Sequence, residues 1–191
     1  MKVQIKNALF SEGAYSGSPA LFVMLDDAAE DKTHHEVLEE IVQSGIRSVV
    51  IVARLVDNGE IIDLVRALAG SGKMRITVVT DCGDQGITSV RHLIPVRFFL
   101  KFVMPSGQEN NIFPGLFQLL KERDEIKVGV EKAEDFKMIG SFLNTKQIVN
   151  PTILFNVDNL PEEEKEAFYT EIWKEENPFN FKYRITKSFN A

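Results

Sequence analysis

Cysteine is nearly missing from this chain: Cys82 is the single one among 191 residues. That excludes a disulfide framework within the chain. It also excludes an iron–sulfur cluster held by several thiolates of one subunit. No apolar run approaches the ~20 residues that a membrane span needs. The opening MKVQIKNALF is too short an apolar stretch for a signal-peptide core. No run of lysine or arginine stands out, and acids outnumber bases 28 to 22, for a net charge of −6. Such a balance disfavours binding to nucleic acid or to an anionic membrane. The spacings GxxxxGK[ST], GxGxxG, HExxH and GxSxG are absent, as are zinc-knuckle spacings. Nothing therefore points to a nucleotide hydrolase, a dehydrogenase or a zinc enzyme. These absences predict a soluble, cytoplasmic protein with no nucleic-acid partner, no membrane partner, no metal and no cofactor.

What is present is ordinary globular material, 44% hydrophobic and rich in phenylalanine, with 14 Phe against one Trp and three Tyr. Much of the core volume is therefore expected to be aromatic. Short apolar or β-branched runs predict seven strands: Ala20–Leu25, Ser48–Val52, Arg75–Val79, Val96–Val103, Glu125–Val130, Thr152–Val157 and Phe181–Ile185. Helical spacing marks His34–Gln43, Glu60–Leu68, Phe113–Lys121, Ala133–Leu143 and Pro161–Glu175. Pro161 suits a first helical turn, and Glu162, Glu163 and Glu164 sit at the positive end of that helix dipole. Strands alternating with helices imply βαβ units and a parallel sheet. A complete eight-fold barrel takes about 250 residues. The expectation is thus one α/β domain over residues 1–191, an incomplete parallel (β/α) barrel of six to seven strands, with a flavodoxin-like sheet as the competitor.

The order of short elements resembles the 7-carboxy-7-deazaguanine synthase family of radical-SAM enzymes. Glu12, Gly13, Gly17, Pro19 and Ala20 follow the order of that family's opening, although Phe10 and Ser11 replace the first half of its QGEG element. Where the family has a CxxxCxxC loop after the first strand, this chain has Asp26 to His35, DDAAEDKTHH. Where the family has the GGEP segment that contacts the SAM amino group, Ala53, Arg54, Leu55 and Val56 stand here. The ETNG-like segment becomes Val79, Thr80, Asp81 and Cys82. The SPK element keeps only its lysine, Lys101, and a family-like lysine opens the next strand at Lys127. The C-terminal segment begins Arg184-Ile185-Thr186 and has lost the family's Gln and His. The resemblance implies a radical-SAM-like fold and, through commonly dimeric relatives, a homodimer. Fold does not carry activity with it.

Candidate functional residues gather after the predicted strands, where parallel α/β folds place their sites. Arg54 and Asp57 occupy the position of the family's SAM motif. Arg54 there either binds an anionic ligand or fills the site by pairing with Asp57 or Asp81. Asp81 and Asp84 lie in TDCGDQG, which is suited to a ribose, a base edge or a metal, and equally to a turn that caps the next helix. Lys101 is placed to touch a base or a carboxylate, and Glu12 completes the ligand-binding candidates. His34 and His35 near four acids read as a loop entering a helix, since adjacent helical side chains diverge by ~100°. Cys82 reads as an inert buried thiol. No catalytic or metal-ligating set emerges. The expected function is a cluster-less, non-catalytic binding or interaction protein with a small-molecule ligand. The alternatives are an enzyme that reuses the barrel mouth for a small polar or purine-like substrate, and a structural subunit. Two segments are candidate dimer interfaces, VRFFLKFV and the stretch from Phe179 to Phe189.

Overall fold

A computed structural model describes residues 1–10, 17–102, 112–148, 150–174 and 179–186, with the side chains of 171, 173 and 174 excepted. Eight strands form one sheet: β1 (Val3–Leu9), β2 (Pro19–Leu25), β3 (Ser48–Val52), β4 (Arg75–Asp81), β5 (Val96–Phe102), β6 (Glu125–Gly129), β7 (Thr152–Asn156) and β8 (Tyr183–Thr186). The helices are α1 (His34–Gln43), α2 (Gly59–Gly70), α3 (Leu116–Leu119), α4 (Ala133–Thr145) and α5 (Glu162–Lys174). Strand order follows chain order from β1 to β8. β1 pairs antiparallel with β2, and every later pair is parallel.

Two expectations need correction. The sheet has eight strands rather than six or seven, and its first pair is antiparallel. β1 escaped notice because it is an edge strand. Its burial fades from a buried Val3 to exposed Asn7, Ala8 and Leu9, so its apolar pattern is weak. The helix expected over Phe113–Lys121 shrinks to Leu116–Leu119, because Pro114 precedes Gly115 at φ +83 and Leu120 returns to extended backbone.

Local chemistry explains the other boundaries. Thr33 caps α1: its hydroxyl accepts from the Glu36 amide at 3.3 Å, and the Glu36 carboxylate accepts from the Thr33 amide at 2.7 Å. Val37 and Ile41, one turn apart, then face the sheet and are fully buried. Asn58 caps α2 by accepting from the Ile61 amide at 3.2 Å, and Ile61, Leu64, Val65 and Leu68 form the buried stripe.

All five helices pack on the same face of the sheet. Val37 and Ile41 of α1, Leu64 of α2, Leu116 of α3, Phe136 of α4 and Phe168 of α5 share one cluster with Val49, Ile51, Val78, Phe98, Ile126 and Phe155. This follows from strand order, since right-handed crossovers that advance in one direction leave every helix on one side. The opposite face has its own cluster without a helix: Phe10, Ala20, Val50, Val79, Phe99 and Leu154. Phe10 stacks on Phe22 at 6.1 Å and meets Phe99 edge-on at 5.9 Å.

VRFFLKFV is core rather than an exposed interface. β5 is paired on both sides, with Phe98, Leu100 and Phe102 in the helix-side cluster and Phe99 on the other face. Phe179 and Phe181 are likewise buried, with rings stacked at 5.0 Å, while Phe189 lies outside the described residues. No helix among the described residues is long and apolar enough to cross a membrane.

Candidate functional site

The helix-free face carries the chemistry, and strand parity places it there. Side chains alternate across a strand, so Val79 on that face brings Asp81 with it, and Phe99 brings Arg97 and Lys101. The register pairs Asp81 with Lys101, Lys101 with Lys127, Lys127 with Leu154, and Leu154 with Arg184. Val52 pairs with Val79, so Arg54, two residues beyond β3's end, lies level with Asp81. One row across the C-terminal ends of the strands therefore reads Arg54, Asp81, Lys101, Lys127, Leu154, Arg184. Four bases and one acid stand side by side in a chain whose net charge is −6.

Arg54 and Asp81 meet as the row requires, with Nε 3.2 Å from Oδ2, and both side chains remain about half exposed. The other Asp81 oxygen accepts from the Gly83 amide at 2.8 Å. Lys101 and Arg184 are exposed, and Lys127 is partly buried. Like charges in neighbouring positions repel, so the adjacent Lys101 and Lys127 raise the potential of this end of the face for an anion.

Below the row the same face turns dry. Arg97 donates from Nε to the Thr77 hydroxyl at 3.0 Å and pairs with Glu125 at 3.2 Å, and both charged side chains are buried. The Phe10 ring covers the Arg97 guanidinium at 5.6 Å. The buried pair and the aromatic layer form the floor under the cationic row.

Asp84 serves the scaffold. It is fully buried, and its carboxylate accepts from the amides of Leu55 at 2.6 Å, Val56 at 2.8 Å and Gly86 at 2.9 Å, and from the Thr80 hydroxyl at 2.7 Å. This knot ties the loop after β3 to the loop after β4, which fixes the positions of Arg54 and Asp81. Gly86 is part of it, because a Cβ there would lie 2.4 Å from the Leu55 carbonyl carbon. Asp57 is exposed and sits in a left-handed turn at φ +61, just before the cap of α2. Glu12 lies outside the described residues.

The groups implied by the family resemblance do not fit these residues. The loop after β2 offers no sulfur, and its polar groups are engaged: Asp26 accepts from the Ala28 amide at 2.9 Å, Asp31 pairs with the N-terminal ammonium at 2.8 Å, and His35 meets Glu39 at 3.3 Å. Among the described residues, no three His, Cys, Asp or Glu side chains are grouped to hold a metal ion. In the loop that replaces the SAM motif, the Leu55 and Val56 amides already donate to Asp84, and Arg54 presents a positive charge where an ammonium would bind. Cys82 is buried, and that burial, reinforced by the Asp81 charge, pushes its thiol up to about 12.

Sequence reasoning identified Arg54, Asp81 and Lys101 but did not join them to Lys127 and Arg184. The signal was in the parity: Arg97, Phe99 and Lys101 alternate in one strand, and Glu125 and Lys127 in the next. No protein-family model and no curated protein matches the sequence. Among solved structures the chain is similar to Streptococcus suis SuiB, with a TM-score of 0.53 and 12% identity over 82% of this chain and 44% of that one. The chain thus corresponds to less than half of SuiB's length, and the likeness is one of fold: an α/β chain whose mostly parallel sheet alternates with helices.

Proposed function

We propose that this protein is a non-catalytic binding module on an incomplete, radical-SAM-like (β/α) barrel, and that it takes a small anionic ligand at the C-terminal ends of its strands. The barrel reading is supported by the one-way strand order and by the burial of Val50 and Leu154 on a face that no helix covers. The observation that carries the function is the register row of Arg54, Lys101, Lys127 and Arg184 with Asp81 as its one acid. A binding role is favoured over catalysis because the chain's single thiol is buried and held protonated. Two-fold symmetry is the commonest route to an oligomer. The outer edge of β1, with Leu9 61% exposed, suits pairing with a second copy, which sedimentation at tens of micromolar would detect as a dimer.

Calorimetric titration at low ionic strength tests the site. Inorganic pyrophosphate should bind, and binding should weaken with added salt, with Lys101→Ala and with Arg184→Ala. Arg54→Ala should weaken it too, by releasing the Asp81 carboxylate beside Lys101. SAM, with its sulfonium and ammonium groups, should not bind. Pyrophosphate binding that ignores all three substitutions would overturn the proposal.

A further inference from the structure

We infer that the ligand is a phosphate monoester with an aromatic body, its dianion on the Lys101–Lys127–Arg184 end of the row and its ring on a neighbouring apolar shelf. The inference rests on the anion-binding reading above and adds the class of ligand. The shelf lies on the same helix-free face. Phe22 pairs in register with Val50 and Met24 with Val52, so all four side chains share that face. Val50 is buried, but Phe22, Met24 and Val52 keep part of their surface in solvent. Phe22 is backed by the Phe10 ring at 6.1 Å, which fixes a flat aromatic surface rather than a mobile one.

Charge and apolar surface are arranged in order across the sheet. The shelf occupies β2 and β3, the Arg54–Asp81 pair stands at β3 and β4, and the unbalanced bases follow from β5 to β8. Neighbouring strands are about 4.8 Å apart. From the shelf on β3 to Lys101 on β5 is then two intervals, about 10 Å along the sheet, the reach of a fused aromatic ring carrying a phosphate. The Arg54–Asp81 pair between them is nearly neutral and offers one donor face and one acceptor face to groups that link ring and phosphate. A bare anion would leave the shelf wet, and an uncharged aromatic would leave the bases without a counter-charge. A ligand with both parts satisfies the whole face.

The test compares three probes by calorimetry on the full chain: 1-naphthyl phosphate, inorganic phosphate and 1-naphthol. Naphthyl phosphate should bind at least tenfold more tightly than inorganic phosphate, and 1-naphthol should bind weakly. Lys101→Ala and Arg184→Ala should weaken both phosphates in proportion. Met24→Ala and Val52→Ala should weaken naphthyl phosphate alone and so close the gap. The comparison of probes on the unaltered protein needs no variant to fold. Equal affinities for naphthyl phosphate and inorganic phosphate, with both still dependent on Lys101, would overturn this inference and leave the anion site standing. Affinities that do not respond to Lys101→Ala or Arg184→Ala would overturn both.

Discussion

Replacing Asp84 by alanine should unlock the two loops that place the cationic row. The side chain is fully buried and serves four donors, three of them on buried residues: the Leu55 amide, the Gly86 amide and the Thr80 hydroxyl. A buried donor left without an acceptor costs about 1–3 kcal/mol. Partial entry of water into the space left behind offsets some of that. The expected loss is about 4 kcal/mol, a large part of the 5–15 kcal/mol that separates a typical domain from its unfolded state. For a chain of this size, that lowers the melting temperature by about 8–16 °C. Asp84→Asn keeps the shape but turns an amide donor toward amide donors, so its loss should be about 2–3 kcal/mol. Gly86→Ala attacks the same knot from the other side. Its Cβ would lie 2.4 Å from both the Leu55 carbonyl carbon and the Val56 nitrogen, which are backbone atoms and move only with their loop. An overpacking cost of about 2–3 kcal/mol follows. Because both substitutions break one structure, the double variant should lose less than their sum. Urea unfolding followed by circular dichroism, with thermal melts in parallel, measures all four proteins. An Asp84→Ala variant that melts within about 3 °C of the unaltered protein would refute the reasoning.

Other consequences are as direct. With its pKa raised from an ordinary 9.0 to about 12, Cys82 has a thiolate fraction at pH 8 reduced about a thousandfold. A thiol-specific disulfide reagent should therefore label it only when the protein unfolds, and rapid stoichiometric labelling of folded protein would contradict its burial. Asp124 is fully buried, pairs with Arg91 at 2.9 Å and accepts from the amides of Phe98 at 2.9 Å and Lys121 at 2.7 Å. Asp124→Ala leaves the Arg91 charge buried alone and should cost about 3–5 kcal/mol in chemical unfolding. Arg54→Ala and Asp81→Ala remove an exposed pair instead and should each change stability by less than about 1 kcal/mol. Anaerobic incubation with iron and sulfide should produce no cluster absorbance, since one buried thiol cannot replace several ligands. A stoichiometric chromophore lost in a Cys82→Ser variant would show a cluster shared between subunits.

Most of the fold was legible in the sequence because it is written in short-range patterns. Val37 and Ile41 one turn apart give α1, the β-branched run Ser48–Val52 gives β3, and the alternation of such segments gives a parallel sheet. The sequence also determined what chemistry is excluded, through one cysteine and the missing motifs. Edge strand β1 was hidden because solvent on one side relaxes the demand for apolar residues, as Lys6 and Asn7 show. Only the tertiary structure decided between the two readings of TDCGDQG: Asp84 turns inward to tie two loops, while Asp81 turns outward to Arg54. The row itself was also beyond the sequence. Arg54, Lys101, Lys127 and Arg184 sit on four different strands, and nothing local relates them. Inter-strand hydrogen bonds set the register that brings them level, and a slip of one residue in any strand would send its base to the helix-covered face.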